Sequence, residues 1–286
     1  MSLQKYLQYI VVFCAIILVA GLFFVKDTDD QAAPALLTDP FLQNPAKDSI
    51  HVVWFTEFQG SRHYTSYGAD LSRIAEAATT QLSRIRDDGP EGLRPRKIWR
   101  HESVIQGLTP GVRTKYRVTS IQDNRQSVQS EIFSLQPLPT AGQPVKILLT
   151  SDHQQKPMTS ANLQKVVETV GMVDAVFFAG DLTNVPDNAS EWFDDATGLG
   201  FFAAFQGRTR VFNPDHLYSG GRILQYAPIF PCVGNHEVMG TFDGRFADFE
   251  RGRPRWYARM RYEALHGESA ANDAGAKQSQ WIRDES

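Results

Sequence analysis

Val145-Lys146-Ile147-Leu148-Leu149-Thr150-Ser151-Asp152-His153-Gln154 is an apolar run that breaks directly into a polar block, and the same break recurs twice. The second instance is Asp174-Ala175-Val176-Phe177-Phe178-Ala179 followed by Gly180-Asp181-Leu182-Thr183-Asn184. The third is Ile229-Phe230-Pro231-Cys232-Val233 followed by Gly234-Asn235-His236-Glu237. The apolar runs have strand character, and between the first two Leu163, Val166, Val167 and Val170 fall at helical spacing, which predicts a helix from Ser160 to about Val170. Strand, helix and strand in that order make a right-handed βαβ unit in a parallel sheet. In an open α/β sheet the loops at the carboxyl ends of the strands converge on one crevice, so the three blocks bring Asp152, Asp181, Asn235 and His236 together.

Taken singly, an Asp after a strand is a helix cap or a turn residue. The order of all three blocks is the signal. Carboxylate oxygens, an amide oxygen and an imidazole at one point suit a hard or borderline divalent metal.

That order resembles the metallophosphoesterase superfamily, the calcineurin-like fold that includes the purple acid phosphatases. Its first three motifs read D-x-H or G-D-x-G, then G-D-x-x, then G-N-H-E/D. The resemblance implies a phosphate-ester hydrolase, phosphatase or phosphodiesterase, built on two divalent or trivalent metal ions drawn from iron, manganese and zinc. It implies that Asp152 binds the first metal, Asp181 bridges both and Asn235 binds the second. His236 is implied to contact the phosphoryl or leaving-group oxygen. Two metals roughly 3.5–4 Å apart acidify a shared water and clamp both oxygens of an in-line displacement at phosphorus, and an imidazole can donate a proton near neutral pH.

Three departures from the pattern stand in this chain. Gln154 occupies the place of the second motif-one ligand, so either Gln154 ligates through its amide oxygen or His153 takes over, with Gln154 favoured by position. Asn184 stands where purple acid phosphatases carry a ligating Tyr, so no tyrosinate colour is expected. The later lone His and the G-H-x-H that complete the family's site do not follow Glu237, where the one remaining histidine is His266 in a helical-looking stretch. The expectation is an N-terminal portion of a longer enzyme. The alternative is a non-catalytic, surface-anchored binding module or pseudoenzyme fragment.

The rest of the chain frames these motifs. Its 286 residues, 42% hydrophobic and 21% charged, suit about two folded domains, and a formal charge of -3 argues against a nucleic-acid partner. Tyr9 to Val25 is uncharged and apolar, long for a signal-peptide core, and reads as a transmembrane signal anchor with residues 1–8 cytoplasmic and the remainder extracytoplasmic. Cleavage near Ala33-Pro34-Ala35 would make the protein secreted instead. Residues 26–47, with Pro34, Pro40 and Pro45, read as an extended tether.

Residues 48–138 read as a small all-β sandwich. Ile50–Thr56 and Tyr116–Ile121 are rich in β-branched and aromatic residues, and Gly107-Leu108-Thr109-Pro110-Gly111 is turn chemistry. Val104 to Gly111 followed by Tyr116-Arg117-Val118 resembles the loop and strand of fibronectin type III-like domains, which commonly precede the catalytic domain in purple acid phosphatases. Leu71 to Arg86 allows either helix or irregular strand. Gln136 to Pro144 reads as a Pro-rich hinge, and the metallophosphoesterase resemblance implies that 145–286 is the N-terminal half of an α/β catalytic domain, a partial β-sandwich with flanking helices. Cys14 and Cys232 leave no disulfide within the soluble part, and Cys232 is expected in the core. Trp192, Phe193, Phe201, Phe202 and Phe205 are expected as core or pocket wall.

Overall fold

The computed structural model describes residues 33–83, 85–89, 92–123, 126–194, 199–213 and 216–238. The transmembrane anchor expected at 9–25, the cytoplasmic segment before it, His266 and the catalytic segment beyond Val238 all lie outside the described residues. Among the described residues no helix is long and apolar enough to cross a membrane.

The N-terminal part is a β sandwich. Strands β1 (Phe41–Gln43), β2 (Ile50–Thr56), β3 (Arg62–Tyr67), β4 (Arg73–Gln81), β7 (Trp99–Ile105), β8 (Thr114–Ile121) and β10 (Phe133–Leu135) run in the order β1-β2-β7-β4-β3-β8-β10. β9 (Ser127–Gln129) adds to β8, and β5 (Arg86–Gly89) with β6 (Gly92–Pro95) forms a separate hairpin. β4 carries the chain from one sheet to the other, pairing with β3 through Arg73–Glu76 and with β7 through Ala77–Gln81. Of the stretch Leu71 to Arg86, Arg73–Gln81 is therefore strand.

β2 explains how the sandwich is held to the rest of the chain. Successive side chains of a strand point to opposite faces. On one face Ile50, Val52 and Trp54 join Tyr116, Val118, Phe133 and Leu135 in the sandwich core. On the other, Val53 and Phe55 join a second core made with Val176, Phe178, Phe201, Phe202, Phe205 and Ile229. With both faces buried, the strand is a near-continuous apolar run. β1 behaves alike, Leu42 entering the first core and Phe41 the second. Phe41–Gln43 lies within the stretch expected as a tether. It is instead a paired strand, because burying Phe41 and Leu42 fully outweighs the turn-forming Pro40 and Asn44 beside them.

The α/β part begins with β11 (Ile147–Thr150), crosses through helix α1 (Met158–Val170) to β12 (Ala175–Phe178), and returns at β15 (Ile229–Pro231). These strands form a parallel sheet in the order β11-β12-β15. Between β12 and β15 stand two one-turn helices, α2 (Ala189–Phe193) and α3 (Phe201–Phe205), a hairpin of β13 (Val211–Asn213) and β14 (His216–Tyr218), and finally the 310 turn His236–Val238 follows β15. α3 is buried throughout, and Phe193, Phe201, Phe202 and Phe205 are core residues, with Trp192 packed against them.

The shared core means that the Pro-rich stretch before Val145 is not a free hinge. Tyr116 donates its hydroxyl to Gln225 O at 2.6 Å, and Asp39 and Gln206 exchange two hydrogen bonds of 2.9 and 2.8 Å across the same junction. Arg96 ties Asp194 at 2.8 Å and Asp87 at 3.3 Å.

One face of the parallel sheet faces this core through Val176, Phe178 and Ile229. The opposite face presents Ile147, Leu149 and Phe177 to solvent among the described residues, with Phe177 stacked on Phe230 at 5.0 Å. Of the partial β-sandwich expected of this half, the described residues show a three-stranded parallel sheet. Cys232, expected in the core, is exposed, because it follows β15 at the end of that sheet's outer strand.

Candidate functional site

The three polar blocks lie at the carboxyl ends of the three parallel strands, and the backbone joins them. Beyond β11 the ladder continues into the loops: Ala179 N donates to Thr150 O, Asp152 N to Gly180 O, His153 N to Asp181 O and Gln154 N to Leu182 O, at 2.9–3.2 Å. Cys232 N donates to Phe178 O at 2.7 Å on the other side of β12. The first and second blocks are thereby zipped together, and the third begins in register with them.

Asp152, Gln154 and Asp181 hold positive φ angles of 55°, 41° and 61°. Such conformations cost a non-glycine residue about 1–3 kcal/mol and gather at sites where the surroundings over-determine them. Their consequence here is directional. With Asp152 and Gln154 both left-handed, His153 between them turns inward: it is buried against Phe201 and Phe205, with ring centroids 5.4 and 5.5 Å away. Neither ring nitrogen finds a hydrogen-bond partner among the described residues, and burial, aided by nearby Lys156, holds its pKa down to about 4. His153 is a neutral core residue.

Asp152 is exposed, accepting from the Ser151 hydroxyl at 2.7 Å, with Lys156 Nζ 3.9 Å away. Asp181 is half-buried, and its Oδ1 accepts the backbone N–H of His236 at 2.9 Å, a direct contact between the second and third blocks. Gln154 is half-buried, with its carbonyl taking a bond from Asn184 Nδ2 at 3.2 Å. Asn235 is exposed beside His236. His236 Nδ1 lies 2.8 Å from Asn184 O; a carbonyl only accepts, so Nδ1 carries the proton and Nε2 is left for other partners.

Two glutamates that the motifs do not assign hold these loops. Glu237 accepts from Asp181 N and Gly234 N through Oε2, each at 2.8 Å, and from Leu182 N through Oε1 at 2.6 Å. Glu191, buried on α2, accepts from Asn184 N at 2.7 Å and Val185 N at 3.0 Å. Burial raises its carboxyl above the usual range, against the opposing pull of those amides. A carboxylate whose partners are backbone amides has no signature in sequence, which is why neither role was foreseen.

The glycines of the second and third blocks are what let the loops meet. A Cβ on Gly180 would lie 2.6 Å from Gly234 Cα, and one on Gly234 would collide with the Asp181 amide and carboxylate. Beside this junction a cavity of about 400 Å³ is lined by Leu182, Trp192, Phe193, Phe202, Pro231 and Arg100 among others.

Asp152, Asp181, Asn235 and Gln154 all carry side-chain oxygens that could serve a metal, on loops hydrogen-bonded to one another. Among the described residues no three His, Cys, Asp or Glu side chains gather into a cage. The set fits part of a hard-metal site and supplies no imidazole ligand.

No family model matches the sequence, and no curated protein matches it. Among solved structures, the fold is similar to that of a purple acid phosphatase isolated from yellow lupin (Lupinus luteus) seeds, with TM-score 0.52 and 17% identity over 74% of this chain and 37% of that one. The chain therefore spans well under half the length of that structure. A human FNIII domain overlaps 41% of this chain and 92% of its own at 15% identity, with a TM-score of 0.24 that is too low to support an argument. Over that stretch the chain shares the fold of part of a purple acid phosphatase structure.

Proposed function

We propose that this chain carries one side of a metal-dependent site for hydrolysing phosphate esters, with Asp152, Gln154, Asp181 and Asn235 as metal-holding residues and His236 as the proton-handling residue. The reading rests on one observation: three parallel strand ends deliver two carboxylates, two amides and an imidazole onto loops already hydrogen-bonded to each other. The likeness in fold to a purple acid phosphatase supports it. When bound, divalent metals supply the positive field that acidifies water and steadies phosphoryl oxygens.

The chain's own residues do the rest. Asp181 is fixed by the His236 amide, and Asn235 adds a neutral donor that leaves the site less repulsive to an anionic ester. His236, its Nδ1 proton held by Asn184 O, has Nε2 to give or take a proton at an ester oxygen, a contribution of typically 10²–10⁴ in rate. His153 is buried against Phe201 and Phe205, which supports Gln154 as the donor of the first block.

The test is metal content and p-nitrophenyl phosphate hydrolysis by the full chain, wild type against Asp181→Ala and His236→Ala. Bound Mn²⁺ or Zn²⁺ that is lost in Asp181→Ala, with hydrolysis falling at least 100-fold in His236→Ala while metal is retained, is the expected result. Wild-type chain that takes up neither ion refutes the proposal and favours a binding module.

A further inference from the structure

Glu237 is one residue beyond His236, yet its carboxylate points back into the second block. It takes three backbone N–H groups from two separate loops, two on one oxygen and one on the other. Hydrogen bonds from N–H to an ionised carboxylate are about twice as strong as neutral ones. The exchange is also mutual: Asp181 accepts the His236 N–H while Glu237 accepts the Asp181 N–H. Each block thus closes the other's backbone with its own carboxylate, and the Cβ-less contact between Gly180 and Gly234 lets them come close enough to do so.

We propose that Glu237 is the positioning residue of the site, the group that sets the spacing between the Asp181 and Asn235 loops before any metal arrives. The claim that this spacing serves metal binding rests on the reading above. The chemistry requires Glu at this place. Glutamine has one acceptor oxygen, so it can serve either the Oε1 or the Oε2 side, and its NH2 would face an N–H on the other. Alanine leaves the amides of Asp181, Leu182 and Gly234 unpaired at a half-buried junction, where each lost bond leaves a polar group to be resolvated.

The experiment compares the full chain with Glu237→Ala and Glu237→Gln by two readouts, amide hydrogen exchange and Mn²⁺ affinity. In Glu237→Ala, exchange at Asp181, Leu182 and Gly234 is expected to rise at least 10-fold while Val176 to Phe178 in β12 stay unchanged, which also shows that the variant is folded. Mn²⁺ affinity is expected to fall 10–100-fold, the usual cost of losing a group that orients metal ligands. Glu237→Gln is expected to lie between the two on both readouts. Unchanged exchange at the three amides overturns the proposal, as does undiminished Mn²⁺ affinity once those amides have been loosened. If the wild-type chain takes up no Mn²⁺, the phosphoesterase reading fails separately; faster exchange in Glu237→Ala then upholds the clasp and unchanged exchange overturns it.

Discussion

Replacing His153 by Leu should stabilise the protein, which is the reverse of what the sequence motif leads one to expect of a histidine flanked by two candidate metal ligands. The ring is 3% exposed, and neither nitrogen has a hydrogen-bond partner among the described residues. Leaving a buried polar group unpaired costs about 1–3 kcal/mol. With its pKa held to about 4 by burial, the ring is neutral at pH 7, so the substitution removes no charge interaction. Leucine is close to histidine in volume and keeps the apolar contacts with Phe201 and Phe205. The expected net gain is about 1–3 kcal/mol, or a Tm rise of about 2–4 °C per kcal/mol for a domain of this size. Thermal unfolding of the full chain at pH 7 measures it, and Mn²⁺ affinity measured alongside should not change. A drop in Tm, or loss of metal in His153→Leu, would show that the ring serves a partner and would refute the inward placement.

Two further outcomes follow from buried groups elsewhere. His101, fully buried, stacks on His63 with ring centroids 3.7 Å apart; it donates from Nε2 to Thr56 Oγ1 at 2.8 Å and accepts at Nδ1 from Thr79 at 2.9 Å. Burial, and then the neighbouring His63, lower its pKa from 6.5 to about 3, so its stabilising contribution is complete above pH 6.5 and is lost as the pH falls towards 3. By pH 5 the loss from His101 is about 2 kcal/mol at 1.36 kcal/mol per pH unit, and unfolding free energies that agree at pH 7.5 and 5 would contradict it. Gly180→Ala should cost about 2–4 kcal/mol, since the new methyl meets Gly234 Cα at 2.6 Å and φ there is +85°; a Tm within 2 °C of wild type would mean that the two loops do not touch.

What could be read from the chain and what could not divide along a physical line. β2, β8, α1 and the three strands of the parallel sheet were legible because each is an apolar or β-branched run with a clear period or length, and the candidate site residues were nominated because each sits immediately after such a run. β1 was hidden because its apolar content is just Phe41-Leu42, two residues that serve two different cores and show no periodicity by themselves. Cys232 was misplaced because its own strand is apolar, whereas exposure depends on where the sheet ends. His153 could not be resolved from Gln154 by spacing. What the structure adds is that His153 turns inward between two left-handed residues, Asp152 and Gln154.

The scaffolding of the site was the least legible part, and the reason bears on how such motifs are used. Asp181, Asn235 and His236 can be nominated from residue type, because the chemistry they offer belongs to their side chains. Glu237 and Glu191 act on backbone amides, which every residue but proline possesses, so nothing in the sequence marks their partners. Glycine by its type suits a turn, yet what the structure requires of Gly180 and Gly234 is the absence of a side chain where two loops meet. A glycine followed by an acid or amide, twice over, therefore encodes a mechanical joint as much as a pair of candidate donors. Substitutions at the joint should separate geometry from ligation, since they leave every candidate donor in place while changing how those donors are held.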